Sequence, residues 1–129
     1  MIEWTIEYSV NYPSIDEEHK KLFSLLDNFY TSLQSGSSKE ELVRLIKGLL
    51  DYANEHFKNE EAYMKSIGYP SFERHRAEHQ AFIEKTDDFY EKISSGKLIL
   101  SVEVTNFIKN WITHHIKSED KQYAKFAAS

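Results

Sequence analysis

There is no cysteine in the 129 residues. That excludes disulfides, iron–sulfur clusters and thiolate zinc sites, so any bound metal has to be held by His, Asp, Glu and water. Glycine and proline are scarce, at four and two. With so few breakers, long uninterrupted helices are expected. Basic charge is not in excess: the formal net charge is −5, which argues against nucleic acid and anionic membrane as partners. No apolar run approaches the length of a membrane span. The N-terminal stretch shows no basic segment followed by an apolar one. A soluble, cytoplasmic protein is expected. What the chain does have is 40% hydrophobic and 14% aromatic residues, enough to fill one core at this length.

Four segments carry helical periodicity. In the first, Ile15, His19, Leu22, Leu26, Phe29 and Leu33 recur at three- and four-residue steps. Ser14 and Glu17 read as a capping box just after Pro13, and Gly36 closes the segment. The second starts at Ser38, with Glu41 completing another box. It runs through Leu42, Leu45, Leu49, Ala53, His56, Glu60 and Met64 and stops before Gly68. The third begins near Ser71, ends at Gly96 and has the cleanest stripe: Phe72, His75, His79, Phe82, Thr86, Phe89, Ile93. The fourth starts near Ser101, reads Val104, Ile108, Trp111, His115 and fades near Tyr123. The joints "SGS", "GYPS" and "GKLIL" are short, and short joints make successive helices antiparallel. The expected fold is all-α: an up-down-up-down antiparallel four-helix bundle over 14–125. An N-terminal aromatic arm, 1–13, with Trp4, Tyr8 and Tyr12, packs on it. One domain spans 1–129, with no linker, repeat or low-complexity tract.

His19, His56, Glu60, His75 and His79 sit in the stripes where apolar residues belong. A single buried histidine is ordinary, but a buried Glu needs a partner, and these five share three helices. Their positions converge. His19 follows the start of the first helix, His56 and Glu60 precede the end of the second, His75 and His79 open the third, and His115 precedes the end of the fourth. In an antiparallel bundle those are the same end. At the α-helical rise all fall within about 15 Å of it. Such convergence is what a metal site in a bundle core requires.

The stretch "HRAEH", residues 75–79, also matches the H-x-x-E-H pattern of one class of zinc peptidases. There Glu78 would be the general base. Zinc takes three protein ligands and a water, and the convergent set is too large for that. Glu78 is off the apolar seam and is expected to be a solvated helix residue.

The stretches "IDEEHKKLF", "HFKNEEAYM", "HRAEHQAF" and "WITHHIKSEDKQY" together resemble the bacterial hemerythrins. The family pattern H…HxxxE…HxxxH…HxxxxD occurs here complete and in order, over nearly the whole chain. The resemblance implies a non-haem di-iron centre that binds O2 reversibly, in a carrier, store or buffer rather than an enzyme. Carried over position by position, His75, His79 and His115 hold one iron and His19 and His56 the other. Glu60 and Asp120 bridge them beside an oxo or hydroxo group. Two six-coordinate irons have one position more than these groups fill, and it falls on the iron with two histidines. There O2 enters, takes two electrons and is held as peroxide; nitric oxide and small anions are further candidate ligands. Phe23, Phe57, Ile112 and Ile116 are candidates for the apolar lining. Glu-x-x-His, the mark of di-iron carboxylate enzymes, is absent from the sequence. An O2- or NO-sensing module and a di-iron oxidase or ferroxidase are the alternatives, and the protein that receives O2 is not readable.

The family spacing picks His115 over His114, which lies about 100° away and is expected at the surface. It also picks Asp120 over Glu119. An ideal α-helix puts Glu119 near the face of His115 and turns Asp120 about 140° from it. The fourth helix is therefore expected to leave α geometry between them, most simply through a π-bulge, with Asp120 inward and Glu119 facing solvent.

Overall fold

The computed structural model describes residues 3–96 and 102–129, with the side chains of Val102 and Glu103 excepted. Every regular element among them is helical. A short 3-10 turn, Ile6–Tyr8, precedes α1 (Pro13–Gln34), α2 (Lys39–Ser66), α3 (Phe72–Ser94) and α4 (Val102–His115). A π-helical segment, Ile116–Asp120, then leads directly into α5 (Lys121–Ala128). The four-helix bundle is the expected one, and its last helix continues further than the fading stripe suggested. The joint "GKLIL" and Ser101 fall largely outside the described residues, as does the start of the arm. No helix among the described residues is long and apolar enough to cross a membrane.

The helix starts differ from the expected capping boxes. Pro13 takes the first position of α1 after Tyr12, where its missing N–H costs nothing. Ser14 is then already inside the helix and cannot cap it. Asp16 acts instead: its carboxylate accepts from Ser9 Oγ at 2.6 Å and from the Val10 N–H at 2.9 Å. This ties the incoming arm to the first turn of α1. On α2 half of the box forms. The Glu41 N–H donates to Ser38 Oγ at 3.2 Å, while the Glu41 carboxylate pairs with Arg44. At the other ends, Gly36 and Gly68 take φ of +77° and +69°, the left-handed turn that closes a helix and that side chains resist.

The core has two apolar clusters. The larger holds Leu22, Leu26, Phe29, Ile46, Leu49, Ala53, Phe57, Phe82, Ile108, Ile112 and Ile116. The smaller holds Val10, Ile15, Met64, Tyr69, Tyr123 and Ala124. Along each helix the polar residues fall between them: Ile15, then His19, then Leu22; Ala53, then His56 and Glu60, then Met64. The polar layer therefore lies inside the bundle, with an apolar cap beyond it. Full burial of one Leu or Phe stabilises by about 1.5–3 kcal/mol, so two such clusters can carry a costly layer between them. The arm packs on the outside: Tyr8 meets Phe23 edge-on at 5.0 Å, and Lys20 lies over Trp4 at 4.6 Å.

Asp16→Ala removes two hydrogen bonds to a carboxylate that hold the arm. It is expected to lower the unfolding free energy by about 1–3 kcal/mol, read from urea denaturation. A midpoint equal to wild type would show the arm to be independent of the bundle.

Candidate metal centre

All seven predicted metal residues meet in one layer, and all are buried: His19, Glu60, His79 and Asp120 are fully so, and His56, His75 and His115 nearly so. They form two donor groups. One is Glu60, His75, His79, His115 and Asp120; the other is His19, His56, Glu60 and Asp120. In each, the ligating atoms lie within 4.8 Å of one another. Glu60 and Asp120 belong to both.

The atoms show how they are shared. In the first group Glu60 Oε1 lies 3.1 Å from His75 Nε2 and 2.9 Å from His79 Nε2. Asp120 Oδ1 lies 3.0 Å from His75 Nε2 and 3.1 Å from His115 Nε2. In the second group it is the other oxygen of each carboxylate that serves. Glu60 Oε2 is 3.5 Å from both His19 and His56 Nε2, and Asp120 Oδ2 is 3.1 Å from His19 Nε2. Each carboxylate thus presents one oxygen to each group, the geometry of a double carboxylate bridge.

The residues fit a metal on their own chemistry. His115 Nε2 lies 3.0 Å from His75 Nε2 and 3.1 Å from His79 Nε2. Three imidazole nitrogens converging on one point cannot satisfy one another. His19 Nε2 and both oxygens of Asp120 are buried with no hydrogen-bond partner among the described residues. Such atoms are costly unless a cation takes their lone pairs.

The opposite ring nitrogens are held by carboxylates that the sequence reading did not assign to the site. His56 Nδ1 lies 2.6 Å from Glu18 Oε1, His79 Nδ1 2.8 Å from Glu61 Oε2, and His115 Nδ1 3.2 Å from Glu78 Oε1. With Nε2 turned to a metal, Nδ1 carries the proton and donates. This fixes the tautomer and ring orientation. Glu78 is therefore not the free surface residue expected of it: it orients His115. It also touches the nitrogen that faces away from the metal layer, which is no place for a peptidase base. The signal lay in the doublets Glu18–His19, Glu60–Glu61 and Glu78–His79. A glutamate next to a core residue is turned about 100°, onto the flank that faces the neighbouring helix. His19 and His75 have no such partner, and their Nδ1 atoms are buried without a hydrogen bond.

Asp120 reaches the layer because Ile116–Asp120 is π-helical, the departure that the spacing demanded. The widened turn rotates Asp120 inward, and Ser118 Oγ donates to the His114 carbonyl at 2.7 Å beside it. Glu119 stays out of both donor groups. It does not simply face solvent, however: it is 13% exposed and accepts from Arg74 Nη2 at 3.0 Å. Arg74, on α3, draws it back onto the bundle. His114 is exposed, as its rotation from His115 requires.

A small cavity of about 10 Å³ borders the layer. Beside Leu22, Phe57, Ile112 and Ile116, its walls include His19 and His56, both histidines of the second group, and also His115 and Asp120. It is at the lower limit of room for one water-sized molecule. Phe23, an expected lining residue, does not border it; its ring packs against Tyr8 of the arm, and Leu22 takes the wall. Two of the cavity's rings also stack on histidines: Phe57 on His79 at 4.0 Å and Trp111 on His115 at 4.4 Å.

Burial pushes His19, His56, His75 and His115 toward their neutral forms, but the carboxylates outweigh it. The Glu60 charge and the Glu18 hydrogen bond raise His56 to about 9. Asp120 and Glu60 raise His75 to about 9. Asp120 and Glu78 raise His115 to about 10. Burial likewise opposes the charges of Glu60 and Asp120, yet the surrounding histidines hold both well below the ordinary carboxylate range. The His115 hydrogen bond lowers Glu78 to about 2.

The fold and site define a class: a helical bundle with a buried histidine–carboxylate centre whose two donor groups share bridging carboxylates. A family model, the hemerythrin HHE cation binding domain, matches residues 10–127. The chain belongs to the hemerythrin family. It is 30% identical to a bacteriohemerythrin of Methylococcus capsulatus, over 95% of this chain and 94% of that one. It is 32% identical to a bacteriohemerythrin of Clostridium acetobutylicum, over 95% and 98%. The myohemerythrin of Theromyzon tessulatum is also 32% identical, over 94% and 89%. A wild-type hemerythrin crystal structure superposes with a TM-score of 0.93 at 28% identity, covering 100% of this chain and 99% of that one.

Two outcomes are expected. Glu78→Ala frees the His115 ring and weakens metal binding by about 10- to 100-fold, read by titration of the metal-free protein; Glu73→Ala on the same helix leaves it unchanged. Metal loading is also pH-dependent. Metal-free His56, His75 and His115 hold protons below about 9 to 10, and a metal has to displace them. Apparent affinity rises as pH is raised toward 9 and falls toward pH 6, with proton release on loading. A pH-independent affinity would refute this protonation scheme.

Proposed function

We propose that this protein binds O2 reversibly at a non-haem di-iron centre held by His19, His56, Glu60, His75, His79, His115 and Asp120, and serves as a carrier, store or buffer of O2. The observation that carries the reading is the division of oxygens at Glu60 and Asp120, one to each donor group. His75, His79 and His115 hold one iron; His19 and His56 hold the other, with one fewer ligand. A cavity of about 10 Å³ borders His19 and His56, together with His115 and Asp120, and would be the space left to a small ligand beside a bound ion. Two ferrous ions supply the electrons by which O2 is held.

The chain's own residues do the rest. Glu18, Glu61 and Glu78 fix three imidazoles. Leu22, Phe57, Ile112 and Ile116 keep the open side dry, which withholds the protons that would turn bound oxygen into free hydrogen peroxide. Nitric oxide and small anions would compete with O2 for the same place. Five neutral histidines against two carboxylates leave the centre less anionic than a glutamate-rich one. The ferric state is correspondingly less favoured, which suits return of O2 over its consumption.

The test is metal analysis with optical spectra under O2 and under vacuum. Two irons per chain are expected, with a visible band that comes with O2 and goes with deoxygenation over repeated cycles. Asp120→Ala is expected to lose the paired centre, while Glu119→Ala keeps it. One zinc per chain and no iron after anaerobic loading would overturn the di-iron reading. Hydrogen peroxide released in each cycle would make the protein an oxidase.

A further inference from the structure

Tyr123 stands in neither donor group, yet its hydroxyl reaches the metal layer. Its side chain is fully buried in the apolar cap. The phenol donates to Glu60 Oε2 at 2.8 Å. A phenylalanine would fill the same space, so the hydroxyl is what the site gains.

The other close partners of Glu60 are His19, His56, His75, His79 and His115, each through Nε2. With ions in place those nitrogens give their lone pairs to metal, and Tyr123 is left as the proton donor on Glu60. Asp120 has no equivalent: neither of its oxygens has a hydrogen-bond partner among the described residues. The two bridging carboxylates are therefore unequal. The inequality falls on Oε2, the oxygen turned to His19 and His56. Its origin is local. Tyr123 follows Asp120 by three residues and shares its face, so the π-helical turn that brings in the second carboxylate also brings in the donor to the first.

We propose that Tyr123 is a positioning residue that weakens Glu60 as a donor to the iron on the His19–His56 side and so holds that iron toward its ferrous state. The proposal rests on the reading of Glu60 as a bridge in an O2-binding di-iron centre. A carboxylate oxygen that accepts a hydrogen bond offers less charge to a metal, and ferric iron needs that charge more than ferrous iron does. Departure of O2 returns both electrons to the irons. Departure of hydrogen peroxide takes both, together with two protons, and leaves two ferric ions. The Tyr123 hydrogen bond favours the first exit.

The test uses the full chain loaded with iron, as wild type, as Tyr123→Phe, and with a ring-fluorinated tyrosine at position 123, whose more acidic hydroxyl donates more strongly. The readouts are iron per chain, the midpoint potential of the diferric/diferrous couple and the rate of irreversible oxidation of the oxygenated protein. The carboxylate stretch of the zinc-loaded protein in the infrared is the fourth. Tyr123→Phe is expected to keep both irons, lower the potential and speed oxidation roughly tenfold, the scale of one hydrogen bond to a charged group. The fluorinated protein is expected to shift both quantities the other way and to move the carboxylate stretch. A purely structural role would not give opposite signs. Wild-type potential and rate in both variants overturn the proposal while reversible O2 binding by the wild type leaves the site reading intact. A wild-type chain that fails to bind O2 overturns the site reading and this proposal with it. If Tyr123→Phe loses iron, the fluorinated protein decides: a raised potential supports the assignment and an unchanged one overturns it.

Discussion

Glu60 and Asp120 are fully buried carboxylates in a bundle otherwise filled with Leu, Ile and Phe. Taking a carboxylate out of water costs several kcal/mol even after relaxation, and here two share one layer. Their mutual repulsion adds to that cost. The five histidines around them answer it in part, since protonation of His56, His75 and His115 is favoured up to about 9 or 10. Protons are a partial answer, however. Three Nε2 atoms still crowd within 3.1 Å, and both Asp120 oxygens lack a hydrogen bond. Divalent cations answer the charge and the crowding together. The layer is thus built for metal, and the bundle tolerates it because apolar clusters lie on both sides.

That constraint explains the rest of the architecture. A donor set drawn from four helices has to be brought to one level, which antiparallel packing of long helices does with short joints. Each imidazole has one nitrogen for the metal and one to be fixed, and the fixing groups come from the flank of an adjoining helix. Glu18 on α1 serves His56 on α2, Glu61 on α2 serves His79 on α3, and Glu78 on α3 serves His115 on α4. The carboxylates run round the bundle in chain order, each helix orienting a residue of the next. They tie the helix pairs together at the level where packing is least apolar.

The helices were legible because their apolar stripes repeat every three or four residues, and the polar intruders in those stripes are the very residues that meet. Asp120 was legible only through the family spacing: straight periodicity favours Glu119, and the π-helical turn reverses that choice. Glu78 was misread because a half-exposed glutamate looks the same in sequence whether it faces water or a histidine on another helix. Phe23 was misread for a similar reason. It and Leu22 are adjacent members of one buried face, and which of them walls the cavity depends on where the arm puts Tyr8. The capping of α1 failed through a one-residue offset, since Pro13 claims the first helical position and leaves Ser14 too late. Apart from that cap, the deciding contact is made by a residue far away in the chain or by a local change of helical pitch, and neither is written in the nearest neighbours.

The two halves of the layer are not equivalent, and the difference bears on what the proposed centre does. The His75–His79–His115 side has three imidazoles, two of them locked by glutamates and stacked against rings. The His19–His56 side has two imidazoles, only one of which is locked by a carboxylate among the described residues. Both of them line the cavity walled by Leu22, Ile112 and Ile116, where His115 is the one imidazole of the other side. A site that takes and returns a small apolar molecule needs one metal that does not change its surroundings and one that can. The chain supplies both by placing three histidine ligands on α3 and α4 but only two on α1 and α2. The carboxylates that couple them are both fully buried between the two sides.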